Sequence, residues 1–253
     1  MAALRDKRTE SNVRAPFIVA DSGKEIYRDG RYLEHNPSWH TEESPFKVRQ
    51  ILRMLKRQNL GPKTVCDVGC GAGLVLSELQ THLPNDCVCK GYDVSPDAIA
   101  MCKDRCNKNL TFSLLDVRRD RCDTFFDLLL MLDVFEHVED YIGLVRDVRP
   151  MARHKLFHIP LDLSVQAAIR KNGFLTRRDN FAHLHYFTKE TALRTLTDVG
   201  YELVDYFYTP RCIELGDQLV QKIARGPRRL CFTLAPDLSV RILGGYSLMV
   251  LAR

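Results

Sequence analysis

The sequence has no apolar run approaching the ~18 residues that a membrane-crossing helix needs, so no span is expected. Its first ten residues, MAALRDKRTE, are charged from Arg5 onward and lack the apolar stretch of a secretory leader. Tryptophan occurs once, at Trp39, and the 14 glycines and 11 prolines are too few for a collagen-like or linker-dominated chain. Cysteine is present nine times, but the odd number and the scatter exclude a disulfide framework, and no paired CxxC spacing marks a zinc site. The cysteines read as small buried hydrophobes in a reducing compartment. With no leader and no span, the expected location is the cytoplasm.

What remains is ordinary globular material. The 253 residues are 45% hydrophobic and 27% charged, which excludes a disordered chain and suits one α/β domain with embellishments. The net charge of +5 is mildly basic. Arginines cluster at Arg118, Arg119 and Arg121, at Arg177 and Arg178, and at Arg225, Arg228 and Arg229. These clusters lack the interleaved aromatics of a single-strand nucleic-acid platform and read as solvated faces.

Residues 1–45 show no clean periodicity and read as an N-terminal extension or lid, with Trp39 and His40 available to cover a ligand. Ser44-Pro45 then opens a helix through Val48, Ile51, Leu52 and Leu55, and residues 59–62 stop it. From residue 64 onward, strand-like and helix-like segments alternate. Strands are expected at 64–68, 88–92, 110–115, 126–132, 155–159, 202–208 and 246–252. Helices fall between them, including one from Ser95-Pro96 toward Asn107 and one over 189–199 closed by Gly200. The pattern predicts a doubly wound, mostly parallel, seven-stranded sheet flanked by helices. Its domain spans 46–253, with substrate-side insertions at about 161–187 and 210–245.

The first strand runs into Asp67-Val68-Gly69-Cys70-Gly71-Ala72-Gly73, and a helix follows. Glycines on alternate positions let the backbone turn sharply and approach a ligand with no Cβ in the way. In a doubly wound fold this loop lies at the carboxyl end of the strands, where ligands bind. Asp93 ends the second strand, 26 residues after Asp67, and can accept both hydroxyls of a ribose. Ser95 is better placed than Asp93 to cap the next helix. Asp116 ends the third strand, within reach of an adenine amino group.

With three acids at three strand tips, the sequence resembles a Rossmann-like (class I) S-adenosylmethionine-dependent methyltransferase over residues 47–199, with an echo of its seventh strand at 246–251. The resemblance implies that Asp67, Gly69, Gly71 and Gly73 hold the methionine end of the donor. It places Asp93 and Val94 on the ribose, and Asp116 and Val117 beside adenine. The segment from Phe126 to Val138, including Leu132, would pass beneath the methyl group and open toward the acceptor. The third glycine comes one residue early for GxGxxG, which disfavours a nicotinamide dehydrogenase.

Just past the fourth strand stand Asp133, Glu136 and His137, which a helical turn would gather on one face. His183 lies where related families bring in a further histidine. The Asp-x-x-Glu-His spacing resembles the metal-binding strip of ubiquinone-pathway O-methyltransferases and small-RNA 2′-O-methyltransferases. Many small-molecule methyltransferases carry a similar Glu-His-Val stretch with no metal. The expectation is therefore a metal-free site, with a divalent metal possible but not favoured. His154, His158 and His185 read as structural. Asp133-Val134-Phe135-Glu136 differs from the Asn/Asp-Pro-Pro-aromatic strip of base methyltransferases, so nucleic acid is not favoured as the acceptor. The reading is methyl transfer to a hydroxyl or amine of a small molecule. Metal-assisted 2′-O-methylation of RNA and non-catalytic binding of an adenosyl ligand are the alternatives. The sequence carries no signal for an oligomeric state.

Overall fold

The computed structural model describes residues 25–120, 122, 124–215 and 219–253. The first 24 residues of the expected extension, and Arg121, lie outside the described residues. Before the sheet come α1 (Arg31–His35) and α2 (Ser44–Arg57). The alternating part follows as β1 (Thr64–Val68), α3 (Leu74–Gln80), β2 (Val88–Asp93), α4 (Pro96–Met101), β3 (Leu110–Leu114), β4 (Phe126–Leu132), α5 (Tyr141–Asp147) and β5 (Ala152–Pro160). The chain ends with α6 (Val165–Ile169), α7 (Gly173–Phe181), α8 (Lys189–Asp198), β6 (Leu203–Thr209), α9 (Arg211–Glu214), α10 (Leu219–Leu234), α11 (Pro236–Leu243) and β7 (Ser247–Ala252).

The seven strands form one sheet in the order β3-β2-β1-β4-β5-β7-β6. The first five are parallel, and β7 runs antiparallel between β5 and β6. The near-continuous apolar runs of β4 and β7 suit central strands covered on both faces. Alternate residues of β4 serve the two cores. Leu128 and Leu130 join Val48, Ile51, Leu76 and Leu79 on one side, while Leu129 and Met131 join Val145, Phe157 and Leu196 on the other.

Local chemistry sets the helix ends. The Ser95 hydroxyl accepts the Ala98 N–H at 3.3 Å, the Asp140 carboxylate accepts that of Gly143 at 2.9 Å, and Thr188 and Thr191 form a reciprocal cap. The helix after Ser95 is shorter than expected. It stops at Met101, because Cys102 is anchored on the Ala98 and Gly71 carbonyls and Lys103-Asp104-Arg105 offers no apolar residue to extend the buried face. The two insertions are helical, with α6 and α7 in the first and α9 to α11 in the second. Five cysteines are buried, as small core residues would be, but Cys106 and Cys231 are exposed, and all nine are free thiols. Among the described residues no helix is long and apolar enough to cross a membrane.

Candidate active site

The parallel strands deliver their carboxyl ends to one edge, so Asp67, Asp93 and Leu132 arrive together by register. The loop after β1 takes left-handed backbone at Gly69 (φ +77°), Gly71 (+55°) and Gly73 (+76°), where a side chain would be strained. The Gly69 and Cys70 N–H groups donate to the Tyr92 carbonyl at 2.8 and 3.1 Å, pinning the loop to β2. A Cβ on Gly71 would stand 2.7 Å from Trp39 Cδ1. Trp39 thus closes over the loop from outside, held edge-on to Tyr32 at 4.9 Å, which in turn meets Tyr27 at 4.6 Å. Trp39 and His40 both adopt left-handed backbone to make that turn.

Two adjoining cavities open at this edge. One is lined by Gly69, Asp93, Val94, Leu115, Asp116 and Val117 beneath Tyr27, Tyr32 and Trp39. The other holds Asp67, Gly71, Gly73 and Leu132, and extends past Glu136 and His137 to Asp162, Arg177, His183 and Arg211. Asp67 is 2% exposed and its Oδ1 has no hydrogen-bond partner, while burial pushes its carboxyl up to about 7 against the opposing Lys47. Such a carboxylate suits a ligand bearing an ammonium group. Asp93 accepts the Gly71 N–H at 2.8 Å and the Ser95 N–H at 2.9 Å. Burial raises its carboxyl above the ordinary range, and these two amides oppose the rise. Asp116 accepts the Arg118 N–H at 3.2 Å, with Arg28 and Arg119 within 3.9 Å.

Asp133, Glu136 and His137 do not share one face. Asp133 sits at φ +56°, and the single turn after it, Phe135–His137, is 3₁₀ rather than α. Asp133 is turned toward Lys47 Nζ at 2.7 Å and His158 Nδ1 at 2.6 Å, and His158 Nε2 meets the Thr209 hydroxyl at 2.9 Å. Burial alone would raise the Asp133 carboxyl, but His158 and Lys47 hold it well below the usual carboxylate range. Asp133 is therefore the centre of a buried charge network, because the left-handed residue ends β4 and reverses the side chain.

His183 comes instead to Glu136 and His137. The Leu184 and His185 N–H groups donate to the Glu136 carbonyl at 2.8 and 3.1 Å, clamping the two segments together. The His137 and His183 rings meet edge to face at 4.8 Å. His137 Nδ1 donates to the Ala182 carbonyl at 3.2 Å, and His183 Nδ1 donates to Asp162 at 2.6 Å. Burial, aided by His183, pushes His137 down to about 3, so its ring is neutral. Glu136 is fully buried with neither carboxyl oxygen hydrogen-bonded, and burial next to Asp133 lifts its carboxyl well above the usual range. Asp162 also receives Arg177 Nε at 3.1 Å, and His183 and Arg177 keep it low despite burial.

Of the remaining histidines, His185 Nε2 donates to the Val138 carbonyl at 3.0 Å, and His154 lies at the start of β5, away from the site. Sequence reasoning passed over Lys47, Tyr27, Tyr32, Asp162 and Arg211. Only Lys47 left a trace, as the one charged residue amid the apolar face of α2 beside Val48 and Ile51.

Residues 38–206, more than half of the chain, match the family model of a methyltransferase domain. A search of curated protein sequences finds no significant match. Among solved structures, the chain is similar to the N-methyltransferase NodS of Bradyrhizobium japonicum WM9 in complex with S-adenosyl-L-homocysteine (TM-score 0.60, 18% identity, 92% of this chain and 98% of that one). It is similar too to magnesium protoporphyrin IX methyltransferase of Synechocystis PCC 6803 with bound S-adenosylhomocysteine (TM-score 0.58, 16% identity, 90% and 98%). The plantazolicin methyltransferase BpumL superposes at TM-score 0.61 with 17% identity, over 91% and 93% of the two chains. With its glycine loop, strand order and family match in agreement, the chain belongs to the methyltransferase-domain family and has the Rossmann-like fold of S-adenosylmethionine-dependent enzymes.

Proposed function

We propose that this methyltransferase transfers the methyl group of S-adenosylmethionine to a hydroxyl or amine of a small molecule. The observation that carries this reading is the pair of adjoining cavities that meet at the glycine loop. Asp93 and Val94 would hold the ribose, Asp116 and Val117 the adenine, and the orphaned Asp67 oxygen the methionine ammonium. Left-handed Gly69, Gly71 and Gly73 let the loop turn tightly against Val134, Trp39 and Phe112 at the cavity's floor. Leu132 lines the second cavity at the end of β4 and would pack beneath the reacting carbon. The same three neighbours, methyltransferases by name and each in complex with S-adenosylhomocysteine, support this donor.

S-adenosylmethionine supplies an electrophilic methyl on a cationic sulfonium. The protein's work is to align the nucleophile and let its proton leave. In the second cavity Glu136, His137 and His183 face the acceptor and would orient its nucleophile as the proton leaves to solvent. The acceptor's lone pair forms the new bond to carbon as the sulfur–carbon bond breaks, and the electron pair stays on a neutral thioether. Segments 25–43, 161–187 and 210–245 wall this cavity through Tyr32, His40, Phe181 and Arg211. Residues 25–43 act as a lid seated on the donor loop through Trp39.

Two measurements test the reading. Calorimetric titration should show binding of S-adenosylmethionine and S-adenosylhomocysteine and none of NAD; the opposite pattern overturns it. Cell extract incubated with methyl-labelled donor should yield a labelled metabolite by mass spectrometry. Label confined to RNA would instead identify 2′-O-methylation.

A further inference from the structure

We propose that Glu136, His137 and His183 form a binding site for a divalent cation of the manganese-to-zinc series, facing the acceptor cavity. Their candidate ligand atoms all lie within 4.8 Å of one another. Ligand atoms at ~2.1 Å from one tetrahedral ion stand ~3.4 Å apart, so the side chains need to close by about an ångström, a rotamer-scale adjustment.

The tautomers are already set for coordination. His137 Nδ1 carries its hydrogen toward the Ala182 carbonyl, and His183 Nδ1 carries its own toward the Asp162 carboxylate. With Nδ1 engaged as the donor in both rings, Nε2 is the nitrogen left to coordinate. His137 Nε2 stands 3.7 Å from Glu136 Oε1. A carboxylate orienting a histidine from behind, as Asp162 does, is the usual support of a metal-bound imidazole, and Arg177 in turn fixes Asp162.

Glu136 supplies the independent observation. It is fully buried, yet neither of its oxygens has a hydrogen-bond partner. Buried polar groups are nearly always satisfied, and no ammonium serves this one, since Lys47 is committed to Asp133. A cation held between the three side chains would meet both oxygens. Two imidazoles and one carboxylate favour borderline ions over magnesium or calcium, which prefer all-oxygen sets. The protein fills three positions, and the cavity side stays open for an acceptor oxygen.

The inference deepens the proposed methyl transfer and rests on it for the acceptor's role. A cation held there would make a hydroxyl resting on it easier to deprotonate. Its oxygen lone pair then forms the oxygen–methyl bond while the sulfur–methyl bond breaks, and the released proton goes to solvent. The acceptor class narrows to a hydroxyl, with a vicinal diol or catechol able to use two open positions. The sequence alone favours a metal-free strip; the assembled geometry points the other way.

The full chain, stripped with chelator, should take up one equivalent of cobalt(II), read by visible absorption, and zinc should displace it. E136Q and H183A should each weaken cobalt binding by about tenfold or more, and D162N by about tenfold to a hundredfold. H185A, whose ring bonds the Val138 and Glu139 carbonyls and packs on Tyr141 away from the cluster, should leave cobalt binding unchanged. Absence of a saturable cobalt signal, or undiminished binding in E136Q and H183A with native circular dichroism, overturns the site. If E136Q fails to fold, H183A and D162N decide alone. Titration of the same samples with S-adenosylhomocysteine separates the two ideas: homocysteine-ligand binding without cobalt removes the cation site only, and cobalt without it removes the donor reading.

Discussion

Asp67 holds its proton more tightly in the folded chain than an exposed aspartate does, because it is buried beside Asp93 with only Lys47 to oppose the effect. A ligand ammonium placed on the orphaned oxygen must displace that proton. Donor affinity should therefore fall by up to about tenfold per unit as pH drops below about 7, and level off above it. Calorimetry between pH 5.5 and 7.5 checks this, taking those limits as approximate bounds on either side of the titration. Asp67→Asn should flatten the profile and weaken binding throughout. The same raised acidity has a sign for stability. The contribution of Asp67 is fully present below the unfolded value near 4 and is lost as pH rises toward about 7, so the ligand-free Asn variant should be the more stable protein at pH 8. Lys47 poses the converse case. Its removal in Lys47→Met leaves Asp133 with His158 alone, and should cost about 3 kcal/mol in urea denaturation, the scale for breaking a buried pair. An unchanged midpoint would show that His158 suffices.

At the scale of elements, the donor loop and the tip of β2 work as one unit. Asp93 bonds the Gly71 and Ser95 amides, so it braces the loop as well as facing the cavity. Asp93→Ala should lower donor affinity and also reduce stability, by about 1.5–3 kcal/mol for each charge-assisted bond lost. A stability loss with donor affinity intact would make Asp93 a brace alone. Gly71→Val should abolish donor binding while the sheet survives. Its Cβ would fall 2.7 Å from the Trp39 ring, and φ of +55° strains any branched residue. These features were legible in the sequence because a glycine loop and a strand-end acid leave local signatures. The turn at Phe135–His137 was not. Asp133, Glu136 and His137 have helical spacing, but the left-handed Asp133 and the 3₁₀ turn separate them, and backbone handedness at a non-glycine residue leaves no mark in composition.

Over the whole molecule, the sole tryptophan lies on the donor loop, which makes fluorescence a reporter of the assembled site. S-adenosylhomocysteine should change the emission of Trp39 and NAD should not. At a ligand concentration about a hundred times the dissociation constant, unfolding should cost about 2.7 kcal/mol more, read as a higher melting temperature. Residues 25–43 should become harder to cleave at the same time, since Tyr32 and Trp39 bridge the lid to the loop. Saturating ligand with unchanged proteolysis would show that the segment is packed independently of the donor.

The alternation of apolar strands and helices by itself determined the sheet, because periodicity and strand-end glycines are properties of contiguous residues. It also placed Asp67 and Asp93 at the ends of two strands, since parallel crossover topology carries those ends to one edge, while β3 stops at Leu114 and Asp116 stands in the turn just beyond it. Only the tertiary structure decided which partners those strand tips meet. Lys47 reaches Asp133 from α2, His183 reaches Glu136 from beyond β5, and Asp162 fixes His183 from 21 residues upstream. None of these pairings follows a helical or strand period. They arise because the Leu184 and His185 amides dock on the Glu136 carbonyl, and docking between distant segments is set by packing, which no local pattern encodes.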